Sequence, residues 1–387
     1  MRNVKIAYVL SFLWRSWFWL GIWIFYYLRF TDYAGIGFLE AVMITTASLG
    51  EIPTGAIADV WGKKKAITLA FLISGVGNLV MAFAPNYSVL LVSVIAMTFG
   101  GAFYSGSLEA LVYDSLIEED NISKYKSVVG RMTTMQNLGM AVAGISGGFL
   151  YQINASLPFI MVSIAYAIGL ILSLRLVEPE IDTEKYSWKI FIDQNRQGLR
   201  QLFLRKNTAY LVWLLLIPSA FMLATENVIN DATAVELGFS SIQLGIFATV
   251  LYLFGILVSE KSEWLMSRLN SKWFYGIVIV VYVGTLVTIP AASFWFGATL
   301  LLLRYGAQTV FHNYRSVRLN AVIDSKYRAT TLSTFSLLEG IPYILGATGI
   351  GVLMNLYTAK TFSMYLGLTV AVAIICLYLI RPFFRER

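Results

Sequence analysis

Seven ionisable side chains, Arg15, Glu51, Glu109, Glu226, Arg304, His312 and Glu339, interrupt stretches of sequence that are otherwise apolar. Such groups can exchange a proton, hold a charged solute or neutralise one another. In an apolar surrounding each is costly unless it is paired or reaches a wet cavity. Glu109 and Glu339 are the carboxylates expected to exchange protons. Arg304 and Glu339 are expected to neutralise each other, and Arg15, Glu51 and Glu109 to meet as a second group. Glu40 and Glu226 also admit a simpler reading, in which they reach an outer interface. His312 lies a little over two turns beyond Arg304, on roughly the same helix face, and reads either as a hydrogen-bonded helix residue or as a proton carrier.

The elements that position these groups follow from composition. Apolar residues make up 58% of the 387-residue chain and charged residues 13%, and the mean hydropathy is +0.69. A soluble domain of this size carries about a quarter charged residues, so this chain has too few to cover a water-facing surface. Its charges are clumped, and the runs between them are about twenty residues long, enough to cross a bilayer as helices. They do not alternate as the strands of a membrane barrel would. Twelve runs result: 7–29, 35–58, 66–85, 88–115, 127–152, 156–177, 209–229, 241–264, 273–291, 294–320, 328–353 and 361–382. The first carries Arg15 and no small-residue cleavage pattern, so it reads as a span rather than a cleaved signal.

Loop charge sets the orientation. Basic residues concentrate in the even-numbered connections, from Lys63, Lys64 and Lys65 to Lys326 and Arg328, and at both termini. Positive loops stay cytoplasmic. Both termini are therefore expected inside a cell membrane, which an even number of spans satisfies. Residues 178–207 divide the chain into an N-terminal lobe, 1–177, and a C-terminal lobe, 208–387. Within the divider Trp188, Phe191, Ile192, Leu199, Leu202 and Phe203 recur at helical spacing among basic residues, as in an amphipathic helix lying on an anionic leaflet. The two halves echo each other: Ser123-Lys124-Tyr125-Lys126-Ser127 and Ser325-Lys326-Tyr327-Arg328-Ala329 open corresponding spans, followed by Gly139 and Gly340. Gly55 and Asp59 align likewise with Gly255 and Ser259. The expected fold is an all-α membrane protein of twelve transmembrane helices in two pseudo-symmetric six-helix lobes.

Between the second and third spans runs Gly55-Ala56-Ile57-Ala58-Asp59-Val60-Trp61-Gly62-Lys63-Lys64-Lys65. This resembles the signature loop of the major facilitator superfamily, glycine-x-x-x-aspartate-x-x-glycine followed by basic residues. The glycines would allow close helix approach and a tight turn. The resemblance implies that Gly55, Asp59, Gly62 and Lys63 belong to a cytoplasmic gate. Asp114 and Arg131 are expected to latch with Lys63 at the same face. Val60 stands where the family often has a basic residue, and the counterpart around Gly255, Ser259, Glu260 and Lys261 is eroded. Gly139 through Gly148 is similar, more distantly, to a glycine-rich motif of proton-driven exporters, although small residues at that spacing also serve helix packing alone. The resemblance further implies that spans one, four, seven and ten line a central cavity, which would place Arg15, Glu109, Glu226 and Arg304 on its wall.

The implied function is secondary active transport of a small, amphipathic solute by alternating access, as proton-coupled export. A nutrient importer or a lipid translocase on the same fold are the alternatives. No phosphate-binding loop or nucleophile triad occurs in the sequence, which argues against a pump that hydrolyses ATP and against an enzyme. One cysteine, Cys376, and one histidine leave no disulfide framework or Cys/His metal cluster. No cofactor or metal is expected. The expected partners are the solute, protons and membrane lipids. The net charge of +7 reflects the basic loops and points to a membrane surface rather than nucleic acid. A monomer is expected.

Overall fold

A computed structural model describes residues 2–180, 188–204, 206–323 and 328–384, with a few side chains inside these ranges, Asp59 among them, left out. Among the described residues the regular elements are all helices, and they make twelve membrane spans. Span one consists of α1 (Arg2–Trp14) and α2 (Trp23–Tyr27). Spans two and three are α3 (Tyr33–Trp61) and α4 (Lys63–Ala82), and span four is α5 (Tyr87–Tyr104) with α6 (Ser107–Glu118). Spans five and six are α7 (Tyr125–Ile153) and α8 (Leu157–Ser173), and α9 (Trp188–Phe203) follows. Span seven joins α10 (Lys206–Ala224) through a π-helical turn (Thr225–Ile229) to α11 (Asn230–Glu236). The last five are α12 (Ser241–Arg268), α13 (Ser271–Thr288), α14 (Phe294–Val322), α15 (Arg328–Tyr357) and α16 (Ala359–Ile380). Among the described residues eight of these helical stretches are long and apolar enough by themselves to cross a membrane. Of the spans outside that set, span one is broken and carries Arg15, α14 carries Arg304, His312 and Arg315, and α8 is shorter.

The first N–H groups of a helix have no partner within it, and several here find one in a side chain. Asn86 caps α5 by accepting from the Val89 N–H at 3.1 Å. Two helices borrow a carboxylate from elsewhere in the chain. Glu178 accepts from the Lys63 and Lys64 N–H groups, at 2.6 and 2.7 Å, at the start of α4. Glu236 accepts from Ala359 and Lys360, at 2.5 and 2.9 Å, at the start of α16.

The chain forms two compact units. Unit one comprises Met1–Thr31, Val42–Phe191 and Ser241–Thr249, and unit two comprises Asp32–Ala41, Ile192–Ser240 and Val250–Arg387. In unit one the Trp14 ring is sandwiched between Tyr104 and Tyr166, with centroids at 3.9 and 5.0 Å, and Phe71 meets it edge-on. The Tyr166 hydroxyl donates to the Trp14 carbonyl at 3.0 Å, so the ring stack also satisfies the end of α1. Asn3 pins α1 to α6 and to the chain after α8, through Ser115 Oγ and the Val177 backbone.

The glycines of α7 are contact points. A Cβ on Gly139 would lie 2.4 Å from the Phe12 carbonyl oxygen, and one on Gly147 would lie 2.0 Å from that of Phe18. Gly144 and Gly148 meet the first turns of α12 in the same way. Small residues here let helix backbones touch. The second-half echo behaves differently: Gly340 has open space beside it, and the residues 324–327 that carry most of its Ser-Lys-Tyr pattern lie outside the described ones. Gly255 and Ser259, expected near the end of span eight, lie inside α12, which continues to Arg268. There Ser259 Oγ accepts from Asn313 at 3.0 Å, as an ordinary interhelical contact.

The divider contains a helix, α9, as its periodicity predicts. Rather than lying free, it docks on α15: Asn195 accepts from the Thr334 hydroxyl at 3.1 Å, Gly198 leaves room for that side chain, and Leu202 is buried. Ile192 and Leu199 remain exposed. The side chains of Trp188 and Phe191 lie outside those described.

Candidate functional site

The polar centre of unit two begins with an irregular span seven. Pro218 inside α10 has no N–H for the Leu214 carbonyl, and the Tyr275 hydroxyl on α13 fills that place at 2.9 Å. About two turns beyond Pro218 the helix widens into its π turn. Gln308 of α14 donates to Thr225 Oγ1 at 2.7 Å and to the Met222 carbonyl at 3.3 Å, and Tyr282 adds a 3.1 Å bond to Thr225. Such widened turns recur at functional sites. This one carries Glu226.

Glu226 faces His312 of α14, with Oε1 3.6 Å from Nε2. Both side chains keep about a third of their surface, 30% and 33%, open to solvent. One turn along the same face, Arg315 donates to Glu339 Oε1 at 2.5 Å and to Ser219 Oγ at 2.9 Å. Its guanidinium also lies 5.5 Å from the centre of the Phe335 ring. Residues three or four apart share a helix face, which is why α14 presents His312 with Arg315 and α15 presents Phe335 with Glu339. The result is two acids, one guanidinium and one imidazole converging from spans seven, ten and eleven.

The expected Arg304–Glu339 pair does not form. Arg304 is wholly buried, and it donates to Asn230 Oδ1 at 2.9 Å, the Thr285 carbonyl at 3.1 Å and Thr285 Oγ1 at 3.3 Å. The reason is geometric. α14 and α15 are consecutive, and Glu339 lies eleven residues into α15. Arg315 lies seven residues before the end of α14, whereas Arg304 lies eighteen before it. The nearer arginine is the one at matching depth. Glu226 and Glu40 do not simply reach an outer interface either: Glu226 meets His312, and Glu40 is buried, 5% exposed.

Unit one holds the other expected residues. Span one is discontinuous where a continuous helix was expected. α1 stops at Trp14, and Arg15 stacks on the Trp17 ring, 4.5 Å from its centre. Span four breaks at Ser105–Gly106, where Gly106 takes a φ of 72°. Beside that break lies a cavity of about 300 Å³ lined by Glu51, Thr54, Gly55, Ala102, Ser105 and Ser107. Glu109 is exposed in the first turn of α6, where the helix dipole favours a negative charge. Arg15, Glu51 and Glu109, expected to meet, are joined by no ion pair among the described residues. Each has a separate setting: an aromatic face, a cavity wall and a helix N-terminus.

The signature loop turns at Gly62, while Gly55 lines the cavity beside Ser105. Gly62 turns the chain with a φ of 97° between α3 and α4, and the Glu178 carboxylate occupies the space a Cβ would need. The Lys63 ammonium pairs with Asp114 of α6. Arg131 is exposed on α7, and the Asp59 side chain lies outside those described.

Four contributors were missed in the sequence: Glu178, Ser219, Asn230 and Thr285. Nothing local marks them, since each acts on a residue of another helix, 19 positions away for Thr285 and more than seventy for the other three. Arg315 left a signal, its three-residue spacing from His312.

Twelve spans, a glycine-turned basic loop after span two and a buried charge cluster define a polytopic helical transporter. The sequence profile of the Major Facilitator Superfamily matches residues 5–347, and the chain belongs to that superfamily. It is 24% identical over 385 residues to the uncharacterized MFS-type transporter YxaM of Bacillus subtilis, covering 93% of this chain and 91% of that one. It is also 24% identical over 152 residues to the quinolone resistance protein NorA of Staphylococcus aureus, covering 36% of this chain and 38% of NorA. Its fold is similar to the crystal structure of the nucleoside transporter NupG, with a TM-score of 0.78 and 17% identity over 100% of this chain and 99% of that one.

Proposed function

We propose that this transporter exports a small amphipathic solute in exchange for protons, and that Glu226 with His312 forms its coupling site. The observation that carries this reading is the contrast between two neighbouring carboxylates. Glu339 has its charge compensated by Arg315 at 2.5 Å. Among the described residues Glu226 has an imidazole as its ion-pair partner, at 3.6 Å, and keeps about a third of its surface open. A carboxylate whose direct partner is a titratable imidazole rather than an arginine, on a widened turn of a membrane span, can take up and release a proton during a transport cycle. Export is favoured over import because part of the chain matches a quinolone resistance protein. The resemblance to a nucleoside transporter is one of fold. Glu109 is the second candidate for coupling, and the Lys63–Asp114 pair beside the signature loop is read as part of a cytoplasmic gate, with both termini inside.

The test is reconstitution in proteoliposomes holding a pH-sensitive dye, with lipophilic fluorescent cations and neutral amphipathic drugs as probes. An imposed pH difference should drive probe accumulation with opposing proton flux. Glu226→Gln should abolish accumulation while leaving probe exchange at equal concentrations intact. Accumulation that persists in Glu226→Gln and disappears in Glu109→Gln would move the coupling site to unit one.

A further inference from the structure

On the side of unit two where α10 and α13 begin and α14 and α16 end lies a cavity of about 460 Å³. Among the described residues its wall carries Lys272, Arg318 and Arg381 and no aspartate or glutamate. Three cations on one cavity wall repel one another, and an anion between them would relieve that repulsion.

The details point the same way. Arg318 Nε is buried and has no hydrogen-bond partner among the described residues. Arg381 lies 6.0 Å from the centre of the Tyr210 ring, which holds its guanidinium at the cavity wall. The Tyr314 hydroxyl and Ser271 Oγ bond each other at 2.7 Å, and Tyr275 is engaged by the Leu214 carbonyl. These tyrosines therefore shape the pocket instead of competing for the cations. Two long helices, α10 and α13, start here, and their N-termini add positive potential. The four helix ends are also the ones flanked in sequence by Lys206, Arg268, Lys326 and Arg385, the side that the charge pattern assigns to the cytoplasm.

We propose that this cavity binds a phosphate ester, namely the headgroup of an anionic phospholipid of the inner leaflet. A phosphodiester would supply an acceptor oxygen to Arg318 Nε, which has none among the described residues, and counter-charge to Lys272 and Arg381. The apolar part of the lining, Leu211, Leu214 and Val322, takes the start of the acyl chains. Basic pockets between spans on the cytoplasmic side are suited to such headgroups. The site is independent of the coupling assignment above.

The experiment uses the full chain in nanodiscs of phosphatidylcholine with or without phosphatidylglycerol, read by thermal unfolding and by native mass spectrometry of retained lipid. Phosphatidylglycerol should raise the unfolding temperature, because a ligand of the folded state stabilises it. Lys272→Gln and Arg381→Gln should each weaken lipid retention about fivefold. Arg318→Gln should lose retention, and Arg318→Lys should keep part of it. Lys124→Gln/Lys126→Gln, on another part of the basic surface, should leave the effect unchanged. If Arg318→Gln fails to fold, the Lys272 and Arg381 variants decide alone. A second arm adds inorganic phosphate or glycerol 3-phosphate to detergent-solubilised protein. Protection by these at millimolar concentration, with none from phosphatidylglycerol, would overturn the lipid assignment. Equal stabilisation of the parent and the Lys272→Gln/Arg381→Gln double variant would overturn the site.

Discussion

Arg315 Nη1 donates to Glu339 Oε1 at 2.5 Å, tying α14 to α15 inside unit two. The two side chains are 19% and 10% exposed, so water screens the pair little. Removing one member of a buried pair strands the other charge, whereas removing both does not. Arg315→Met or Glu339→Gln alone should cost about 3 kcal/mol of stability, and Arg315→Met/Glu339→Gln together clearly less than the sum. Unfolding of all three variants in mixed micelles measures the coupling. Additive losses would show that the contact carries no weight.

The turn at Gly62 makes two demands on its residue. Its φ of 97° and ψ of 150° suit glycine alone, and a Cβ would lie 2.7 Å from Glu178 Cδ. Gly106 takes a φ of 72° with open space around it, so it makes only the first demand. Gly62→Ala should therefore lose more stability than Gly106→Ala, whose cost is about 1–2 kcal/mol. Glu178→Ala, which uncaps α4, should cost about 1 kcal/mol. Thermal unfolding of the three variants side by side gives the order, and a larger loss from Gly106→Ala would refute it.

Gly139 and Gly340 occupy matching positions in the two halves and have opposite surroundings. A methyl on Gly139 would press on the Phe12 carbonyl, and one on Gly340 would meet nothing within 4 Å. Gly139→Ala should reduce yield and unfolding temperature by separating α7 from α1. Gly340→Ala should be neutral or slightly stabilising, since alanine is the better helix former by about 1 kcal/mol. Size-exclusion profiles and melting curves of the two proteins check this.

Asp59 closes α3 one turn before Gly62. If it belongs to a gate, Asp59→Asn should fold and express like the parent and transport several-fold more slowly. The aligned Ser259, which lies within α12, should tolerate alanine. Initial rates in proteoliposomes distinguish the two, and an unchanged rate in Asp59→Asn would remove it from the gate.

Amino-acid order alone determined the spans, because crossing a bilayer is a local property of about twenty consecutive residues and adds up along the chain. The turn at Gly62 was legible for a similar reason: its glycine, basic run and preceding aspartate sit within a few positions of one another. Tertiary structure decided the partners. Whether Glu339 meets Arg304 or Arg315 depends on how far two helices slide past each other and on their rotation, about 100° for each residue. Neither quantity is written in a single helix. The same holds for Glu178 at the start of α4, for Ser219 beside Arg315, and for the three cations that α13, α14 and the end of α16 bring to one cavity. The break in span one was hidden for a further reason. Trp17, Trp19 and Trp23 are as apolar in a broken helix as in a continuous one. Only the packing of Trp14 between Tyr104 and Tyr166 fixes where α1 stops.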